Sequence, residues 1–318
     1  MQETNLYYYK CEFQAMGTAC DIQLFAKTKA IAKTIANTVI ADVQRLECLY
    51  SRYKPDSFLS KINQVAAIGG GITVDDETAS LLNYAVACYE QSEGLFDITS
   101  GLLRHAWKFD QGTLPEQSLI DSLLKSVGWH KVSWQPPLLS FNVSGMEIDF
   151  GGIVKEYAVD RAAALCVSQD IKHGVINLGG DIKVIGPRAD GSPWRVSIRH
   201  PRDKTAIVDT LLLYDGALAS SGDYERCITV KGIRYGHVLN PKTGWPVRHL
   251  AAVSVVGDFC VVAGSASTIA MLKEDKGTEW LTELGLPNLW VDVHGNIGGS
   301  IKPKPKLQNI PWATGNLQ

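Results

Sequence analysis

The segment Asp149-Phe150-Gly151-Gly152-Ile153-Val154-Lys155-Glu156-Tyr157 carries the strongest chemical signal in this sequence. A glycine pair between a strand and a helix lets the backbone approach a phosphate. The helix N-terminus adds unpaired N–H groups and the positive end of a dipole. Lys155 falls in the first turn of that helix, an end that favours anions, so it is out of place there unless it points at one. His237 is the best single candidate for a general base. It lies between a strand and the polar turn Asn240-Pro241-Lys242-Thr243-Gly244, whereas the other six histidines have no comparable surroundings.

Other clusters are dense in glycine and polar groups and leave two readings open. Gln14-Ala15-Met16-Gly17-Thr18 reads by itself as a turn entering a strand. In Ser51–Asn63, Tyr53 is flanked by Arg52 and Pro55, with Ser57, Ser60 and Asn63 following. That pattern suits either a capped, solvated turn or an aromatic platform for a planar ring. In Gly94–Gly101, Asp97 and Thr99 either cap a following helix or edge a ligand. Asn177-Leu178-Gly179-Gly180-Asp181 and Ser220-Ser221-Gly222-Asp223-Tyr224 complete the set.

The elements that must position these residues follow from periodicity. Cys20, Ile22 and Leu24 alternate with polar neighbours over a strand at 18–26, and Ile31, Ile35, Val39, Val43 and Leu46 form one helical stripe. A second helix is predicted over about 76–93, a hairpin from 139–143 and 147–150, and a helix from Gly152 to about Gln169. From Gly174 onward strands predominate (175–178, 181–185, 194–199, 208–214, 226–230), with closing helices near 260–273 and 277–284. Helices and strands do not alternate as βαβ units, and no period repeats. The expected fold is α+β with a mainly antiparallel sheet and no Rossmann unit.

With 318 residues, 45% hydrophobic, the chain can build one large domain or two intimately packed lobes. A net charge of −2 without a basic face argues against nucleic acid, and the Pro-interrupted run at 302–306 reads as a solvated tail. The seven cysteines are scattered with no C-x-x-C pair, so neither a zinc knuckle nor a disulfide framework is expected. Cys88 and Cys166 fall in apolar helical stretches, where a buried thiol is expected. No apolar leader core or membrane span is present in the sequence, and cytoplasm is expected ahead of periplasm. There is no P-loop, H-E-x-x-H or G-x-S-x-G pattern.

Seven pieces in order resemble the ApbE family of FAD:protein FMN transferases: FQAMGT (13–18), SRYKPDSFLSKIN (51–63), FDITSGLLRHAW (96–107), DFGGIVKEYAVD (149–160), INLGGDIKVIG (176–186), SSGDYER (220–226) and GHVLNPKTGWPV (236–247). The resemblance spans about residues 13–300, which leaves 1–12 as an N-terminal extension and 301–318 as a tail. It implies two lobes of a tunnelling-fold-like kind with FAD in the cleft between them. It also implies Mg²⁺-dependent transfer of FMN to a Thr or Ser hydroxyl of an acceptor flavoprotein, with release of AMP. By motif, Met16 and Tyr53 would lie against FAD rings, Phe96, Asp97 and Thr99 would line the cleft, and Asp149, Lys155 and Leu239 would contact FAD. His237 would assist deprotonation of the acceptor hydroxyl. The metal would take the Gly152 carbonyl, Thr268 and the Ser267 backbone.

Two positions depart from the family pattern. An Asp that binds the metal is replaced by Gly264, and the Gly after the lysine is replaced by Glu156. Glu156 is therefore a candidate for the missing charge, or else a solvated helix residue beside Lys155. Two other uses of an FAD site stay open at this point: a non-catalytic FAD reservoir, and an FAD pyrophosphatase releasing FMN and AMP.

Overall fold

The computed structural model describes residues 6–302. The chain opens with strands β1 (Tyr7–Ala15) and β2 (Thr18–Ala26), followed by helices α1 (Lys29–Tyr50) and α2 (Phe58–Ile68), strand β3 (Gly70–Thr73) and α3 (Asp76–Gln91). A 3₁₀ turn at Ile98–His105 leads to α4 (Gln117–Leu124), the strands β4 (Val132–Gln135) and β5 (Leu138–Phe141), and α5 (Val154–Ser168). Then come β6 (Gly174–Leu178), β7 (Asp181–Ile185), β8 (Trp194–Arg199), β9 (Ile207–Leu213), β10 (Gly216–Gly222), β11 (Cys227–Val230) and β12 (Ile233–Gly236). The last elements are β13 (Leu250–Gly257), α6 (Cys260–Leu272), α7 (Gly277–Leu284), β14 (Asn288–Asp292) and β15 (Ile297–Gly299).

The main sheet has eight strands in the order β1-β2-β6-β7-β10-β13-β14-β15, and each neighbouring pair is antiparallel. This is the α+β, mainly antiparallel architecture expected from the sequence. Helices α1, α5 and α6 pack on the sheet, with α5 touching both of the others. The β8–β9 hairpin closes a separate apolar cluster through Val196, Ile198 and Val208, packed with Leu218, Leu289 and Val291 of the sheet.

Helix starts follow their caps. Thr28, Ser57 and Asp75 each accept a backbone N–H at the head of α1, α2 and α3. Asp160 of α5 caps α6 from outside, accepting the N–H of Cys260 (2.8 Å) and of Val261 (2.9 Å). That bond pair fixes α6 against α5. No side chain caps the N-terminus of α5 itself.

Two sequence expectations change. Residues 7–12, read as an extension, belong to the edge strand β1, which pairs with β2 from Tyr7↔Ala26 to Ala15↔Thr18. Residues 147–150 do not form a strand; β5 pairs with β3 and β4 instead. The reason is Asn63, whose amide accepts the Ile148 N–H (2.9 Å) and donates to the Ile148 carbonyl (3.0 Å). One side chain thus does for Ile148 what a partner strand would do. Of the tail expected at 301–318, residues 303–318 lie outside the described residues. Among the described residues, no helix is long and apolar enough to cross a membrane. All seven cysteines are free thiols, and Cys88 and Cys166 are buried as expected.

Candidate functional site

Met16 and Gly17 form the two-residue turn between β1 and β2, and both have positive φ (52° and 72°). That is the conformation two-residue hairpins favour, but a methionine adopts it at a cost that asparagine or glycine would not incur. Its side chain packs half-buried against the core.

The 51–55 loop projects Tyr53, 69% exposed, into solvent. Its hydroxyl accepts from Arg52 Nη2 (2.9 Å) and from Arg226 Nη1 (3.3 Å), which arrives from the far side of the sequence. Burial pushes the Tyr53 hydroxyl up, but the two guanidinium hydrogen bonds outweigh it and bring its pKa below the ordinary tyrosine value. Arg52 also pairs with Asp149, whose other oxygen accepts the Gly151 N–H at 3.0 Å. Asp149 therefore ties the 51–55 loop to the glycine pair ahead of α5.

Behind that pair, Lys155 forms an ion pair with Asp181 at the start of β7 and stands 3.4 Å from Glu156 Oε1. Asp181 also accepts the Ser220 N–H of β10 (3.4 Å). Glu156 is only 8% exposed, and its Oε2 has no hydrogen-bond partner. Facing α5, the α6 residue Gly264 offers no side chain: a Cβ built there would lie 2.5 Å from Glu156 Cγ. One turn further along α6, Thr268 Oγ1 is 2.8 Å from Ser221 Oγ, and Ser267 Oγ is 2.7 Å from the same hydroxyl. Ser267 is fully buried and also donates to the Gly264 carbonyl (2.8 Å). Of the residues expected to hold a metal, Glu156 lies on α5, Ser267 and Thr268 lie on α6, which packs against it, and Gly152 lies in the turn just ahead of α5.

His237 follows β12 and is reached by solvent. The register Cys227↔Gly236 makes Arg226 its cross-strand neighbour. Desolvation by the surrounding protein lowers the His237 pKa, and the Arg226 charge lowers it further, while a hydrogen bond with the Arg226 backbone opposes both. Near pH 7 the imidazole is therefore neutral, as a general base requires. Leu239 is half-buried, bridges to Pro246 and packs on Leu102, Leu103 and Val127. The turn beyond it is pinned by Trp107 Nε1, which donates to the Gly244 carbonyl (2.8 Å). Gly244 has φ 72°, and a Cβ there would meet Ile120 at 2.4 Å.

Phe96, Asp97 and Thr99 sit differently from the rest. Phe96 is buried under Gly152, where a Cβ would approach its ring to 3.2 Å. Asp97 accepts from Thr99 N (2.8 Å), Thr99 Oγ1 (2.7 Å) and Trp129 N (2.9 Å), and Thr99 Oγ1 accepts from Gly128 N (2.7 Å). These polar atoms are spent on bracing the 97–99 turn against 128–129. Arg52, Arg226 and Asp181 were not singled out by the sequence as site residues. Their signal lay in clusters already noted, but a register and an ion pair were needed to draw them in.

With this geometry in view, known proteins give the class. Residues 16–290 match the model of the ApbE family. The chain is 28% identical over 270 residues to the FAD:protein FMN transferase of Vibrio cholerae, covering 82% of this chain and 80% of that one. It is 30% identical over 271 residues to the enzyme of the same name from Chlamydia pneumoniae, covering 82% of each. Among solved structures, the ApbE protein of Thermotoga maritima superposes with a TM-score of 0.84 at 32% identity, over 92% of this chain and 97% of that one. The flavin transferase ApbE of Vibrio cholerae gives 0.83 at 25% identity, over 93% and 98%. This chain belongs to the ApbE family.

Proposed function

We propose that the protein is an FAD:protein FMN transferase, moving the FMN moiety of FAD to a Thr or Ser hydroxyl of an acceptor flavoprotein and releasing AMP. The observation that carries this reading is the chain Asp149–Arg52–Tyr53–Arg226, which links the glycine pair at the head of α5 to the hairpin bearing His237. An anion site and a neutral base are thereby held on one scaffold. The family's enzymes carry the corresponding name.

In this reading Met16 and Tyr53 lie against the FAD rings, Leu239 lies along the cofactor, and the Phe96–Thr99 turn supports the cleft from beneath. The uncapped N–H groups at the start of α5 and Lys155 face the diphosphate. The acceptor oxygen attacks the FMN-side phosphorus and forms a new P–O bond. The bond from that phosphorus to the bridging oxygen breaks, AMP departs with that oxygen, and the hydroxyl proton passes to His237. Positioning and charge neutralisation dominate such transfers, with the base adding a smaller factor.

Mg²⁺ would neutralise charge on the diphosphate. Among the described residues no three His, Cys, Asp or Glu side chains converge to hold a metal. Mg²⁺ does not require them, since it uses one or two carboxylates, hydroxyl or carbonyl oxygens, waters and substrate phosphates. The Gly152 carbonyl, Ser267 and Thr268, together with a buried carboxylate oxygen lacking a partner, fit that donor set.

The test is incubation with FAD, Mg²⁺ and a fragment of an acceptor flavoprotein, following AMP and flavin fluorescence on the denatured fragment. Labelled fragment with one AMP per flavin is the expected result. AMP with free FMN would mean a pyrophosphatase, and tight FAD binding with neither product a reservoir.

A further inference from the structure

We propose that Glu156, leaning across the bare Cα of Gly264, is the carboxylate ligand of a divalent-cation site between α5 and α6. Its identity as a magnesium site for the FAD diphosphate rests on the transferase reading; the carboxylate assignment rests on the geometry.

Three observations converge. Glu156 is nine-tenths buried and one of its oxygens has no partner, although a buried carboxylate is costly unless paired. The neighbouring ammonium does not resolve this. Lys155 is committed to Asp181 and reaches only the other oxygen of Glu156, at 3.4 Å. The second observation is steric. A Cβ at position 264 would stand 2.5 Å from Glu156 Cγ, 3.2 Å from Cδ and 3.4 Å from Oε1. Any side chain on α6 at this place would force Glu156 out of its present position, so the two positions form a coupled pair. The third is the lining. Gly152 lies in the turn that leads into α5, two residues before its first residue, while Gly264 and Thr268 are four apart within α6, a spacing that puts both on one helix face. The Ser221–Thr268–Ser267 hydroxyls supply further hard oxygen donors. Lys155 is the positive charge beside Glu156 and Asp181. A divalent cation held here would supply positive charge to both carboxylates and leave the ammonium available to the diphosphate.

The probe is Mn²⁺, followed by loss of its free electron-spin-resonance signal on titration with the full chain, with and without FAD. FAD affinity in metal-free buffer is read separately by fluorescence. Glu156→Gln keeps shape and removes charge; it is expected to weaken Mn²⁺ binding at least tenfold and leave metal-free FAD binding within twofold. The exchange Glu156→Gly with Gly264→Asp is expected to restore Mn²⁺ affinity to within threefold of wild type, whereas Gly264→Asp alone does not tighten it. Unchanged Mn²⁺ affinity in Glu156→Gln overturns the assignment, and the transferase reading survives if FMN transfer by the wild type is seen. Mn²⁺ binding that depends on Glu156 without AMP release from FAD supports the assignment and sinks the transferase reading instead.

Discussion

Two buried polar clusters in this protein look alike in sequence and differ in what the fold does with them. Around Asp97, each side-chain oxygen and the Thr99 hydroxyl find backbone or hydroxyl partners within 3 Å. Between α5 and α6, Lys155, Asp181 and Glu156 crowd together and one carboxylate oxygen is left over. A polar group satisfied on every side stabilises the fold and has nothing left to offer a ligand. A cluster with a remainder is stable only because the rest of the molecule holds it. The contrast separates bracing from chemistry more sharply than residue type does.

The comparison breaks most easily at Lys155. Lys155→Met should lower FMN transfer by about 100- to 1,000-fold, the range for removing one preorganised donor from an oxygen that gains negative charge in the transition state. The measurement is AMP release at saturating FAD, alongside thermal unfolding. A variant that transfers FMN within threefold of wild type would place Lys155 with the bracing residues. Asp97→Ala should do the reverse. It strands three buried donors, so a loss of about 3 kcal/mol in unfolding free energy is expected, with transfer per folded molecule little changed. Denaturant titration beside the AMP assay reads both. A stable but inactive Asp97→Ala would put that carboxylate in the cleft after all.

How far each cluster was legible in the sequence follows the same division. The helices, the β-rich second half and the Gly151-Gly152 step into α5 were readable because periodicity and glycine carry local information. The 147–150 strand was misread because Asn63, 85 residues earlier, satisfies Ile148, and a contact that distant leaves no local trace. The edge strand β1 was missed because its Tyr7-Tyr8-Tyr9 start lacks the alternation of β2, against which it pairs. In the site, Lys155 and His237 stood out by type and setting. Arg226 did not, since its relation to His237 is a register. Gly264 and Glu156 stood out only as departures from a family pattern, and their contact explains why the two occur together.

The pH dependence tests the other half of the site. Desolvation and then the Arg226 charge hold His237 below the usual histidine range, so the imidazole stays neutral to lower pH than a free histidine. The acid limb of kcat/KM for transfer should therefore lie below the ordinary histidine pKa. Arg226→Gln removes one of the two depressing causes and should move that limb upward, leaving the plateau at high pH less affected. The negative charges of Glu225 and Asp223, which act against that of Arg226, bound the size of the shift. A limb that stays in place in Arg226→Gln would mean that desolvation alone sets the histidine.

Tyr53 gives the smallest effect and the finest distinction. It is the most exposed of the candidate ring contacts, so its removal should change unfolding free energy by less than about 0.5 kcal/mol. If its ring is a platform for a planar group of FAD, Tyr53→Ala should weaken FAD binding by about tenfold, the worth of one aromatic stacking contact. Tyr53→Phe keeps the ring and removes only the oxygen that accepts from Arg52 and Arg226. Should Phe bind FAD as wild type does while Ala is tenfold weaker, the ring is the ligand contact and the guanidinium pair merely steadies it. Equal losses in both would make the Arg52–Tyr53–Arg226 bridge itself the functional element, and FAD fluorescence titration of the two variants side by side decides between them.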